Sequence, residues 1–289
     1  MKRKIAALLM ASALTAALIT ACGSGGEETS GESAEETTAE ETSGEESEEA
    51  SDGYVSAEDA VAAAKAGDTH VLDVREWANY VGGRVVNSEW CPIFPLEDDS
   101  LAEAMTEYAD ANFGDDKDIY IICNSGAKGA EKATEVLTES GIDPSRLFTV
   151  EGGAKALAEV DGALTTNRTE ENIEWQYVSG EDAVAAVGDD EVQFLDVRDD
   201  ETYAAGHLEG SLQCNLKEIE DAEAQTQMYE LATGEMDPEK PVYILCYSGN
   251  NCAKTAISVM KDAGFDTDNL FIIEDGAKNA EVSAAFVTE

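Results

Sequence analysis

Positive charge is scarce in this chain. Its 289 residues carry 18 Lys and Arg against 62 Asp and Glu, a formal net charge of −44. That balance excludes nucleic acid as a partner, since a surface of the same sign as the phosphate backbone repels it and releases no counterions. An anionic substrate is repelled at long range too, so binding one requires a local positive pocket. Histidine is nearly absent, with only His70 and His207, and no Cys-x-x-Cys pair occurs, so no metal-ligand spacing can be read. The apolar run at the start, Ile5 to Ile19, is too short for a comfortable membrane span.

Lys2, Arg3 and Lys4 precede that run, which ends at Ile19-Thr20-Ala21-Cys22-Gly23. A charged start, a short apolar core and small residues before a cut describe a secretory signal. The cysteine after Ala21 makes residues 1–22 resemble a bacterial lipoprotein signal, with Cys22 becoming the lipid-bearing first residue of a chain held outside the cytoplasm on the cell membrane. Residues 23–53 hold 12 acidic and no basic side chains and almost nothing apolar to bury. This composition predicts a disordered acidic tether with a span of about 30 Å, lengthened by self-repulsion.

The remaining 236 residues, with 15 basic and 50 acidic side chains, are written twice. An offset of 123 residues, with no gap, superimposes Tyr54-Val55-Ser56 on Tyr177-Val178-Ser179 and Leu72-Asp73-Val74-Arg75 on Leu195-Asp196-Val197-Arg198. The same offset carries Tyr80 to Tyr203, Cys91 to Cys214, Cys123 to Cys246, and Gly153-Ala154-Lys155 to Gly276-Ala277-Lys278. The expected organisation is a first domain at 54–165, a linker at 166–176 and a second domain at 177–289, each domain large enough for its own core.

Each copy has an apolar strand that runs into a cysteine and a small-residue loop: Ile119-Tyr120-Ile121-Ile122-Cys123-Asn124-Ser125-Gly126 and Val242-Tyr243-Ile244-Leu245-Cys246-Tyr247-Ser248-Gly249. Small residues let a tight loop turn its N–H groups inward, and the following helix adds partial positive charge at its N-terminus. Such a site favours the thiolate, which is the nucleophile. Cys91 and Cys214 sit in strand-like runs with no loop after them and read as buried structural residues. With Cys22 assigned to lipid, no dense disulfide framework follows.

Ser56 and Ser179 read as N-caps of an Ala/Val helix. After them come a strand ending in Asp-Val-Arg, a turn of helix, a second strand reaching Cys91 or Cys214, an acidic helix, the cysteine strand, a helix from about Lys128 or Ala253, and a last strand at 147–150 or 270–273. Short strands alternating with helices predict an α/β fold, each domain a parallel sheet with helices on both faces. Ligands in such sheets bind beyond the carboxyl ends of the strands, where both loop cysteines fall.

In order and spacing, three segments of the second copy resemble the rhodanese domain: Leu195-Asp196-Val197-Arg198, Tyr203-Ala204-Ala205-Gly206-His207-Leu208-Glu209-Gly210-Ser211, and Cys246-Tyr247-Ser248-Gly249-Asn250-Asn251-Cys252. The resemblance extends over residues 54–289 as a tandem pair. It implies a sulfurtransferase that needs no cofactor. The loop cysteine attacks the outer sulfur of a donor such as thiosulfate, holds it as a persulfide among the loop amides, and passes it to a thiol or a cyanide-like acceptor. Matched residue by residue, Cys123 and Cys246 are the nucleophiles. Asn124, Ser125, Gly126, Ala127, Lys128 and Gly129 form one loop; Tyr247, Ser248, Gly249, Asn250, Asn251 and Cys252 form the other. Asp73, Arg75, Asp196, Arg198 and His207 read as structural, because a charged pair at a strand end satisfies itself and nearby backbone.

The copies depart from the family pattern in different places. Active loops often carry Arg or Lys two places after the glycine, where this chain has Lys128 in the first copy and Asn251 in the second; the first site therefore suits an anionic donor better. The first copy in turn has Gly83-Arg84 where the second has Gly206-His207. Phosphatases of this fold use a longer loop ending in an Arg six places after the cysteine, and those places hold Gly129 and Cys252, which argues against that activity. Cys252 opens a reading from another class: a curled loop brings its thiol to Cys246 as a redox or sensing pair. The plainer alternative is a small residue at a helix start. A third reading is a non-catalytic module that binds a protein or a small thiol.

Overall fold

The computed structural model describes residues 53–169 and 172–288. The signal segment, Cys22 and all of the tether except Gly53 lie outside the described residues. Among the described residues no helix is long and apolar enough to cross a membrane.

Local chemistry sets the helix starts. After β1 (Tyr54–Val55), the Ser56 hydroxyl accepts the Asp59 N–H at 3.0 Å and caps α1 (Ala57–Ala66). Then follow β2 (His70–Asp73), α2 (Trp77–Val81), β3 (Glu89–Trp90), α3 (Asp99–Asn112), β4 (Ile119–Ile122), α4 (Lys128–Glu139), β5 (Leu147–Val150) and α5 (Gly153–Leu157). The second domain repeats the order: β6 (Gln176–Val178), α6 (Gly180–Ala185), β7 (Gln193–Asp196), α7 (Asp200–Ala205), β8 (Leu212–Gln213), α8 (Ala222–Glu235), β9 (Val242–Leu245), α9 (Asn251–Asp262), β10 (Leu270–Ile273) and α10 (Ala280–Ala284).

Each domain is built on a five-stranded parallel sheet, ordered β1-β5-β4-β2-β3 in the first and β6-β10-β9-β7-β8 in the second. The inner strands are apolar on both faces, as a sheet covered on both sides requires. Leu72 and Ile121 pack with Met105 and Leu137 on one face, while their neighbours Val71 and Ile122 pack with Val150 and Leu157 on the other. Leu195 and Ile244 face Met228 and Ile257, and Phe194 and Leu245 face Ile273 and Val282. The cysteine strands β4 and β9 are thus central, and their carboxyl ends are fixed from both sides.

Two boundaries differ from expectation. The strands β3 and β8 stop short of Cys91 and Cys214, although the Cys91 and Cys214 N–H groups still reach the carbonyls of Asp73 and Asp196 at 3.1 and 3.0 Å. Backbone pairing runs on beyond them, with the Ile93 N–H reaching the Val74 carbonyl at 3.1 Å and the Leu216 N–H the Val197 carbonyl at 3.2 Å, before the chain turns away; the Asn215 side chain accepts the Lys217 N–H at 3.1 Å. The helix after the second cysteine strand, α9, starts at Asn251, not Ala253, which places Cys252 in its first turn.

Arg168, after the first domain, is anchored in the second. Arg168 is 1% exposed; its guanidinium donates to Asp262 Oδ2 at 2.6 Å and to Gln225 Oε1 at 2.9 Å, and lies over the Trp77 ring. Trp77 of the first domain stacks on Tyr229 of the second with ring centroids 4.2 Å apart, and its Nε1–H donates to Thr226 Oγ1 at 3.0 Å.

Candidate functional site

Cys123 and Cys246 follow directly after the central strands, and each is 2% exposed. The chain then turns sharply, with Gly126 at φ 63° and Gly249 at φ 64°, in the left-handed region open to glycine. That turn aims backbone donors at sulfur: the Ala127 N–H points to Cys123 Sγ at 3.3 Å and the Asn250 N–H to Cys246 Sγ at 3.2 Å. Each of these donors immediately precedes a 12-residue helix, α4 or α9, whose N-terminus adds partial positive charge at the same spot. The arrangement stabilises negative charge on sulfur.

A second segment forms the back wall of each loop. The carbonyl of Cys123 accepts the Ala154 N–H at 2.8 Å, and the carbonyl of Cys246 accepts the Ala277 N–H at 2.8 Å. Gly153 and Gly276 approach so closely that a Cβ on either would collide with the cysteine carbonyl. The repeated Gly-Ala-Lys was visible in the sequence as a match between copies, but its contact with the loop arises only because β5 and β10 lie beside the cysteine strands.

Asp73 and Arg75 form a buried forked pair, with Nη2 to Oδ2 at 2.6 Å and Nε to Oδ1 at 2.9 Å, and Arg75 Nη2 also donates to the Gly83 carbonyl at 2.8 Å. Asp196 and Arg198 repeat this, with Arg198 reaching the Gly206 carbonyl at 2.7 Å. His207 stacks on Tyr203 at 4.1 Å between centroids, with Nδ1 3.1 Å from the Tyr203 carbonyl oxygen. These five residues tie the ends of β2 and β7 to the turns behind them. Cys91 and Cys214 are buried beside the sheets, and burial pushes their thiols up to about 12 and about 11, so both stay protonated near neutrality.

The two sites differ around the shared loop. In the first, the Phe94 ring lies against Gly129, and Lys128 stands exposed at the first position of α4. The Glu76 carboxyl is held below the usual range by its own backbone N–H first, then by Asn79 and Asn124. In the second, the place of Phe94 belongs to Lys217, which donates to Asp199 Oδ2 at 2.9 Å. The Tyr247 hydroxyl donates to the same oxygen at 2.7 Å and accepts the Asp199 N–H at 2.8 Å. Lys217, followed by Tyr247, holds the Asp199 carboxyl well below the ordinary carboxylate range. Cys252 sits where the first loop has Gly129, half-buried; burial, with Cys246 nearby, pushes its thiol up to about 11. Neither Phe94, Lys217 nor Asp199 carried a signal in the sequence that tied it to the loops, beyond its place at the repeat offset.

Beside the second site runs a groove of about 620 Å³ lined by Cys214, Lys217, Glu218, Asp221 and further acidic side chains. Among the described residues no cluster of three or more His, Cys, Asp or Glu side chains is placed to hold a metal ion.

Comparison with known proteins gives the same fold twice. The rhodanese-like domain model matches residues 56–159 and again 179–281. Similar solved structures include thiosulfate sulfurtransferase from Pseudomonas aeruginosa, 16% identical with a TM-score of 0.37, covering 81% of this chain and 43% of that one. A 3-mercaptopyruvate sulfotransferase from Escherichia coli is 17% identical with a TM-score of 0.31, covering 78% of this chain and 98% of that one. The rhodanese-like domain of an Anabaena protein is 18% identical with a TM-score of 0.31, covering 40% of this chain and 81% of that one. With two parallel five-stranded sheets and a cysteine loop at the end of each central strand, this chain belongs to the rhodanese-like domain family and carries two such domains in tandem.

Proposed function

We propose that this protein is a sulfurtransferase, held outside the cytoplasm by lipid on Cys22, that moves sulfane sulfur from a donor such as thiosulfate to a thiol or cyanide-like acceptor. The observation that carries the reading is the loop N–H aimed at each cysteine sulfur, 3.3 Å at Cys123 and 3.2 Å at Cys246, at the start of a helix. The thiolate attacks the outer sulfur of thiosulfate; the sulfur–sulfur bond breaks and its electron pair leaves with sulfite. The resulting persulfide anion is met by the same amide and helix N-terminus that stabilised the thiolate, so no donor has to move during the step. An acceptor thiolate then attacks the outer sulfur and restores the cysteine thiolate. Asp73, Arg75, Asp196, Arg198 and His207 act as scaffold, holding the strand ends.

Lys128 favours the first site for an anionic donor, because it is exposed beside the loop while Lys217 is engaged by Asp199. Incubation of the reduced protein with thiosulfate, followed by peptide mass analysis, should find an adduct of about 32 Da on the Cys123 and Cys246 peptides, with sulfite released in equal amount. Absence of both products would refute the reading.

A further inference from the structure

The two loops have the same backbone but different chemistry at one position. Gly126 and Gly249 match in φ, and Ala127 (φ −131°, ψ −126°) matches Asn250 (φ −143°, ψ −127°). An ideal Cβ placed on Gly129 would lie 3.0 Å from the Cys123 Cβ. By the match in loop backbone, the Cβ of Cys252 takes the corresponding place opposite Cys246. A disulfide needs a Cβ separation of about 3.5–4.5 Å, about 0.5–1.5 Å more than the matched backbone gives. The first domain has no thiol there, and its Phe94 ring fills the space; in the second, the corresponding Lys217 is turned to Asp199. Cys246 and Cys252 are both free thiols, packed against one apolar cluster, and close enough for charge on Cys246 to raise the pKa of Cys252.

We propose that the second domain is a self-resolving dithiol site, in which Cys252 attacks the inner sulfur of a Cys246 persulfide, expels the outer sulfur as sulfide and leaves a Cys246–Cys252 disulfide. The inference rests on the sulfurtransferase reading for the loading step. Cys252 hands its proton to the outer sulfur and attacks the inner one as the thiolate, while Cys246, at which the Asn250 N–H is aimed, is the residue that meets the donor. The bond between inner and outer sulfur breaks, and its electron pair and the Cys252 proton leave together as hydrosulfide. The sulfane sulfur is reduced to sulfide, and the two cysteines are oxidised by the same two electrons. An external dithiol resets the pair by thiol–disulfide exchange. The first domain passes its sulfur on; the second discharges it as sulfide.

The test uses the full chain carrying Cys123→Ser, fully reduced, desalted and given thiosulfate with no other thiol present. Sulfite reports loading, and sulfide reports resolution. The expected result is equal sulfite and sulfide, with a Cys246–Cys252 crosslinked peptide about 2 Da lighter than the two thiol peptides. Adding Cys252→Ser, or Cys252→Ala as a second variant, should abolish the sulfide, keep the sulfite and leave about 32 Da on Cys246. Diamide should produce the same crosslink in the reduced protein without any donor. If the Cys123→Ser protein releases sulfite and keeps its adduct without releasing sulfide, the inference fails and the sulfurtransferase reading stands. If it releases no sulfite and gains no adduct, both fail at this site.

Discussion

The ring of Phe94 packs on Gly129 so closely that a methyl group at residue 129 would stand 2.5 Å from Cε2 and 2.6 Å from Cζ. Gly129→Ala should therefore overpack the first site and lower stability by about 1–3 kcal/mol in urea denaturation. Adding Phe94→Leu should recover part of the loss, because it removes the ring edge that the methyl meets. A Gly129→Ala protein with wild-type stability would mean that the ring moves aside freely.

Lys128 is the cation of the first loop, and its exposure limits what it contributes. Lys128→Ala should raise the thiosulfate KM about fivefold, equivalent to ~1 kcal/mol, with little change in kcat, the signature of uniform binding. Cys123→Ser should remove most thiosulfate-directed turnover. Retention of turnover in Cys123→Ser, with its loss in Cys246→Ser, would transfer the anionic donor to the second site.

His70 lies between two carboxylates, with Nδ1 2.6 Å from Glu89 and Nε2 3.1 Å from Asp115. The Glu89 hydrogen bond, opposed in part by burial, raises its pKa above the ordinary 6.5. A raised folded-state pKa contributes stability that is fully present below 6.5 and is lost as pH rises through the folded value. Urea midpoints should fall over that window in the wild type and change less in His70→Gln. Equal slopes in the two proteins would remove His70 as the source.

The Asp73–Arg75 pair is buried, at 0% and 5% residue exposure, so breaking it strands a charge. Arg75→Met should cost about 3–5 kcal/mol, more than a surface pair contributes, and should also release the Gly83 carbonyl. Thermal unfolding of the variant measures this, and a loss below about 1 kcal/mol would show that Asp73 finds another partner or takes up a proton.

Cys22→Ser changes a residue that precedes both domains in the sequence. It should leave urea unfolding of the soluble region unchanged while abolishing incorporation of labelled fatty acid. A variant that is still labelled and still sediments with membranes would end the lipoprotein assignment.

The sequence by itself determined what depends on neighbours along the chain. Ser56 caps its helix through an N–H three residues on, and the apolar run of Ile119–Ile122 is confined to a strand buried on both faces. The identity of Cys123 and Cys246 as strand-end cysteines followed from the same local pattern, and the offset between copies showed that it occurs twice. What surrounds those cysteines was decided by packing. Gly153 reaches Cys123 because β5 pairs with β4, and Phe94 reaches Gly129 because the chain after β3 crosses the end of the sheet. Asp199, Lys217 and Tyr247 meet although they are 18 to 48 residues apart. Trp77 stacks on a ring from the other domain. Caps and side-chain periodicity are set within a few residues, whereas these contacts exist only once the crossovers have laid distant segments side by side.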